Sequence, residues 1–174
     1  MLTEAQVKAL ALAANGPTRD AILLGAYTGL REAEILRLSA DQVAAGDTLV
    51  LTRTKTGRQR AVPVPRAALP ILARIPLGLT YAVLRREWES ARVKAGMPEV
   101  QFRDLRRTYG SWIVQRTGNL RAAQELLGHT TSTITARHYA HLLTDHLREA
   151  VASLDGPRDI AAHNRKFEKR SKKA

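Results

Sequence analysis

The chain has 174 residues, with 28 lysines and arginines against 16 aspartates and glutamates, a formal net charge of +12, 44% hydrophobic residues and no cysteine. That length suits one domain with a tail, and that charge makes an anionic polymer the first partner to consider, nucleic acid ahead of an acidic membrane surface. Lack of cysteine excludes disulfides, thiolate metal sites and thiol catalysis; with no run approaching the ~20 apolar residues of a membrane span and no N-terminal signal pattern, a soluble, intracellular protein is expected.

Thr3 and Gln6 make a capping box, and Val7, Leu10 and Leu12 carry a first helix forward until Asn15-Gly16-Pro17 ends it. Thr18 is placed to cap a second helix, which runs through Ile22, Leu23 and Tyr27 and breaks at Gly29. A short third helix is expected over 31–38. Leu49-Val50-Leu51 and Ala61-Val62-Pro63-Val64 read as two short strands joined by the polar hairpin 54–58, with Pro63 and Pro65 marking an edge strand or a strand end.

From Arg66 onward the pattern turns helical. Apolar and charged residues recur at helical spacing over 80–94 and stop near Gly96 and Pro98; a further helix over 104–116 ends at Gly118. Asn119 can cap 120–127, which Gly128 terminates. The Thr/Ser-rich 130–135 reads as a connector, and 136–154 as helix. Past Gly156 the apolar periodicity is lost, and 165–173 is dominated by lysine and arginine, as in a mobile basic tail. The fold class is therefore mainly α with a small antiparallel β-sheet, with 1–155 as one domain and 156–174 as tail.

Three strings stand in order along the chain: Thr28-Gly29-Leu30-Arg31-Glu32-Ala33-Glu34, Leu105-Arg106-Arg107-Thr108, and Leu127-Gly128-His129 followed by Tyr139. Cleaving a phosphodiester without a metal makes three demands: the anion repels a nucleophile, attack adds charge to the non-bridging oxygens, and the departing sugar oxygen needs a proton. Arginine answers the first two, because its planar fork donates paired hydrogen bonds and keeps its charge. Arg31 and Arg106 are the arginines inside these strings, and a donor placed where charge builds is worth roughly 3 kcal/mol. Glu34, three residues past Arg31 on the same helix face, is either a buttress for a neighbouring donor or one half of a surface ion pair. Tyr139 is the nucleophile candidate: nearby arginines make its phenolate less costly, and a phosphotyrosyl link would store the ester's energy for resealing. Tyr27, Tyr81 and Tyr109 compete for that role, with Tyr27 and Tyr109 better suited to packing inside. Lys55 on the hairpin can reach a leaving oxygen and protonate it, or can simply contact DNA; general acid help is worth ~10²–10⁴ in rate. His138 and His141 lie three apart, but no carboxylate or third histidine completes a ligand set, so no metal and no cofactor are expected.

The strings and their order resemble the tyrosine recombinase (phage integrase) family over nearly the whole chain. The resemblance implies the integrase catalytic-domain fold and site-specific recombination of double-stranded DNA through a 3′-phosphotyrosyl intermediate. Arg31, Arg106 and His129 would grip the phosphate, Tyr139 attack, Lys55 act as general acid, and Glu34 buttress. The family usually has histidine where this chain has Arg103, which can donate to a phosphate but cannot move a proton near neutral pH. Ten residues separate His129 from Tyr139 where related chains often have nine, read here as one extra connector residue. The family's N-terminal DNA-clamping domain is expected to be absent. By analogy a tetramer would assemble on DNA, in a prokaryotic or phage-encoded, cytoplasmic setting. Two alternatives use the same residues differently: a type IB topoisomerase-like nicking and closing activity, and a non-catalytic DNA-binding relative.

Overall fold

The computed structural model describes residues 1–51, 59–129 and 131–152. The whole of the expected hairpin 54–58, Lys55 included, and the expected basic tail 156–174 lie outside them. The chain divides into two compact units, Met1–Leu142 and Leu143–Ala174.

Helix α1 (Glu4–Ala13) begins as the sequence predicts: Thr3 Oγ1 accepts from Gln6 N at 3.2 Å while Thr3 N donates to Gln6 Oε1 at 2.8 Å. Its inward face is Val7, Leu10 and Ala11, whereas Leu12 is 81% exposed. Helix α2 (Gly16–Thr28) starts earlier than Thr18 predicts. Asn15 occupies the N-cap position and Pro17 falls in the first turn, where its missing N–H costs nothing. The residues that end the first helix thus also start the second. Gly29 closes α2 in the left-handed conformation, and α3 (Glu32–Leu36) follows with Arg31 as its N-cap.

Strands β1 (Val43–Ala44), β2 (Thr48–Leu51) and β3 (Arg60–Pro63) form one antiparallel sheet in that order. The two-residue β1 is too short to leave a pattern in the sequence. Pro63 sits at the end of β3, an edge strand, as its missing donor requires. In this register Leu49 faces Val62 and Leu51 faces Arg60. Paired side chains share a face, so Arg60 lies on the same side as buried Leu49, Leu51 and Val62.

A 3₁₀ turn (Arg66–Ala68) leads into α4 (Leu69–Leu72), and α5 (Tyr81–Lys94) is capped by Thr80. Helix α6 (Phe102–Thr117) then packs against α2, and α1 against both α2 and α5. The core of this layer includes Leu10, Ile22, Leu24, Ile35, Leu84, Trp88 and Leu105, all essentially inaccessible to solvent, each worth roughly 1.5–3 kcal/mol of apolar burial. Trp88 meets Phe102 edge-on at 5.2 Å. Two bonds tie the chain start to α6: Leu2 N donates to Thr108 Oγ1 at 2.9 Å, and Trp112 Nε1 donates to Leu2 O at 3.2 Å.

Helix α7 (Leu120–Leu127) has the predicted Asn119 cap and Gly128 stop. The next helix, α8 (Ser132–Tyr139), begins inside the stretch expected as connector. Its hydroxyl and β-branched residues are weak helix formers, but Thr135 and Tyr139, one turn apart, are both buried, and tertiary burial outweighs propensity. A 3₁₀ turn (Ala140–Leu143) interrupts the helix expected over 136–154, and α9 (Thr144–Ala152) follows. Among the described residues no helix is long and apolar enough to cross a membrane.

Candidate active site

The turn from α2 into α3 presents Arg31. Its backbone N donates to Glu34 Oε2 at 2.8 Å and its Nη1 to Glu34 Oε1 at 2.8 Å, so one carboxylate both satisfies the first turn of α3 and holds the guanidinium. The Arg31 side chain is 35% exposed and that of Glu34 only 10%, so the pair is not a surface one. Arg106 on α6 reaches between two helix ends. Its Nη1 donates to Gly29 O at 2.6 Å, its Nη2 to Leu127 O, the last residue of α7. Those carbonyls belong to the C-terminal ends of α2 and α7, groups with no partner inside their own helices.

A third guanidinium, absent from the sequence reading, completes the arrangement. Arg60 of β3 donates from Nη2 to Glu34 Oε2 at 2.7 Å and from Nη1 to Leu127 O. Only 8% of its side chain is exposed. The signal that could have found it is strand alternation: 60, 62 and 64 fall on one face, and an arginine at an inward position is out of place unless something holds it.

His129 follows Gly128. Its Nδ1 lies 2.9 Å from Thr135 Oγ1, one turn of α8 before Tyr139. Burial and then the charges of Arg106, Arg31, His138 and Arg60 pull the imidazole down to about 4, so it is neutral at pH 7. Tyr139 ends α8 and is 4% exposed, its ring laid against Gly110 of α6. Burial raises its pKa, and Arg106 and Arg107 oppose that rise. Arg106 is itself lowered to about 9, first by burial and then by Arg31 and Arg60, and remains charged at neutral pH.

The structure thus gathers Arg31, Glu34, Arg106, His129 and Tyr139, and adds Arg60 and Thr135. Arg103 stands exposed on the first turn of α6, one turn before Arg106. Of the competing tyrosines, Tyr109 is buried with its phenol raised to about 12, Tyr27 is half-buried beside Trp112, and Tyr81 is exposed. Among the described residues no three His, Asp or Glu side chains come together as a metal site would need. Three guanidiniums around one carboxylate leave an excess of positive charge. Burial first, and then the charge of Arg31, lower both Arg60 and Arg106, a cost that a bound anion would relieve.

The sequence profile of the phage integrase family matches residues 1–76 and 78–146. The integrase of Haemophilus phage HP1 is 32% identical over 127 residues, covering 71% of this chain and 37% of its own length. Tyrosine recombinase XerC of Chromobacterium violaceum is 31% identical over 137 residues, 66% of this chain and 46% of its own. The chain spans less than half the length of both relatives. The solved catalytic domain of bacteriophage HP1 integrase superposes with a TM-score of 0.71 at 27% identity, covering 91% of this chain and 98% of that one. With the three ordered strings, the helical fold and the family match in agreement, this chain belongs to the phage integrase family of tyrosine recombinases.

Proposed function

We propose that this chain is the catalytic part of an enzyme that cuts and rejoins double-stranded DNA at specific sites through a 3′-phosphotyrosyl intermediate, with no metal in the chemical step. The observation that carries the reading is the cluster itself: Arg31, Arg106 and Arg60 around Glu34, with the Tyr139 phenol in the field of Arg106. In this reading Arg31 and Arg106 hold the non-bridging oxygens of the scissile phosphate. Neutral His129 donates from Nε2 to the same phosphate, with its other nitrogen accepting from Thr135. Tyr139 Oη gives up its proton to water and attacks phosphorus, the P–O bond to the 5′ oxygen breaks, and Lys55 gives that oxygen its proton. A 5′ hydroxyl from a partner strand then displaces Tyr139. Arg103 cannot carry protons, so it serves as a further phosphate donor. Glu34 keeps Arg31 in place.

Two such exchanges make a recombination, which needs four protomers on two duplexes. Residues 1–155 supply the chemistry, and the basic 156–174 adds contacts to phosphates. The test is a randomised pool of nicked suicide duplexes, which trap the covalent stage, read on a denaturing gel. A protein–DNA adduct is expected, absent in Tyr139→Phe. Duplex binding with no adduct from any sequence overturns the reading.

A further inference from the structure

Arg60 presents a paradox of burial. It occupies an inward position of β3, across from Leu51 and beside Val62, where a leucine or methionine would fill the space without taking a charge out of water. Burial and the charge of Arg31 together lower its pKa despite the opposing pull of Glu34, and its Nε is buried with no hydrogen-bond partner. An arginine kept under those conditions costs stability, so its worth has to lie elsewhere. Both of its terminal nitrogens are engaged with protein acceptors and its side chain is 8% exposed, so it does not present itself to a ligand.

What its two bonds do is join the halves of the cluster. One goes to the carboxylate that holds Arg31; the other goes to the carbonyl that holds Arg106. A carbonyl oxygen has two lone pairs, so Leu127 O accepts from both arginines at once. That carbonyl immediately precedes Gly128 and His129. Gly128 has φ +64°, and a Cβ there would overlap Arg60 Nη1. The glycine is therefore required twice, for the left-handed turn and for the close approach of Arg60.

Resting on the strand-transfer reading above, we propose that Arg60 is a positioning residue: by bridging Glu34 and Leu127 O it holds Arg31, Arg106 and the Gly128–His129 turn at the spacing one phosphate requires. Three like charges left to themselves would spread apart. A guanidinium fork tied at both ends to fixed acceptors prevents that, and a phosphate grip loosened by an ångström loses much of its transition-state contact.

The experiment compares wild type with Arg60→Met and Arg60→Lys in the full chain. The first readout needs no activity: ¹⁵N NMR of the Arg106 guanidinium and the His129 ring in the free protein, with the Trp88 and Trp112 indole signals as reporters of an intact core. In Arg60→Met the Arg106 side-chain hydrogens are expected to exchange at least tenfold faster and the His129 titration to move, while both indoles hold their positions. The second readout is adduct formation on suicide duplexes. The adduct rate is expected to fall at least 30-fold with duplex affinity within threefold of wild type. Arg60→Lys, whose single ammonium cannot span two acceptors, should recover less than a tenth of the loss. Unchanged Arg106 exchange in Arg60→Met overturns the proposal, as does an affinity loss that matches the rate loss, since that would make Arg60 a DNA contact. If Arg60→Met does not fold, Arg60→Lys is judged by the same exchange measurement. If wild type forms no adduct at all, the strand-transfer reading fails while the NMR comparison still decides the role of Arg60.

Discussion

Thr135 and His129 meet through one hydrogen bond of 2.9 Å, and that bond sets which imidazole nitrogen is free to face a phosphate. In the strand-transfer reading Thr135 donates to Nδ1, so the proton resides on Nε2 and the ring is a donor without being charged. Thr135→Val keeps the shape and removes the hydroxyl. The expected result is an adduct rate about 5–10-fold lower, corresponding to ~1 kcal/mol for a lost hydrogen bond, with duplex affinity unchanged in a filter-binding assay. The same histidine ties stability to pH. Its folded pKa of about 4 lies below the ordinary value of 6.5, so between those values the unfolded chain binds a proton that the folded one does not. Stability is then full above pH 6.5 and drains away as pH falls towards 4, by about 1 kcal/mol once the half-exposed ring is discounted for screening. Urea midpoints measured across that window should show the slope, and His129→Gln should flatten it. Arg31, Glu34, Arg106, His129 and Tyr139 were legible because their strings are short and ordered. Arg60 was not, because a strand begun at Ala61 hides the position that is in register with Val62.

Helix α8 is held to α6 by the absence of a side chain. A methyl group at Gly110 would lie 2.5 Å from both Cζ and Oη of Tyr139 and 2.9 Å from Leu127 Cδ1. In an open helix, alanine in place of glycine gains about 1 kcal/mol. Here the sign reverses, because the tyrosine ring has to leave its seat or the two helices have to part. Gly110→Ala is expected to lower the thermal midpoint and to expose Tyr139, which tetranitromethane would then nitrate faster than in wild type. Wild-type nitration kinetics in the variant would mean that the ring does not rest on α6. This close approach is a property of two elements far apart in sequence, and no local pattern announces it. The start of α8 was hidden for a related reason: the Thr/Ser-rich 130–135 read as connector, while the burial of Thr135 and Tyr139 that makes the segment helical is decided by α6 and α7. By contrast the caps at Thr3 and Asn119 and the stops at Gly29, Gly118 and Gly128 were legible, since each satisfies its own helix end within a few residues.

At the scale of the whole molecule the governing quantity is the charge of +12 on 174 residues. Little of it is needed for folding: several arginines, Arg85 and Arg121 among them, stand at the surface in pairs with glutamate that contribute no more than ~1 kcal/mol each. The buried arginines are a different population, held by carbonyls and one carboxylate, and they serve the cluster. In the strand-transfer reading that surplus meets a partner with a dense line of phosphates. Binding to such a polymer releases condensed counterions, so affinity has to fall steeply with salt, by roughly 10³-fold or more between about 50 and about 200 mM for six or more neutralised phosphates. Residues 156–174 hold seven lysines and arginines against two acids. Removing them is expected to shallow the slope of log affinity against log salt by the number of phosphates they neutralise, while leaving the adduct rate at saturating duplex unchanged. A slope identical with and without that segment would assign the phosphate contacts to residues 1–155 alone, and a slope near zero in both would remove DNA as the partner the charge was inferred to meet.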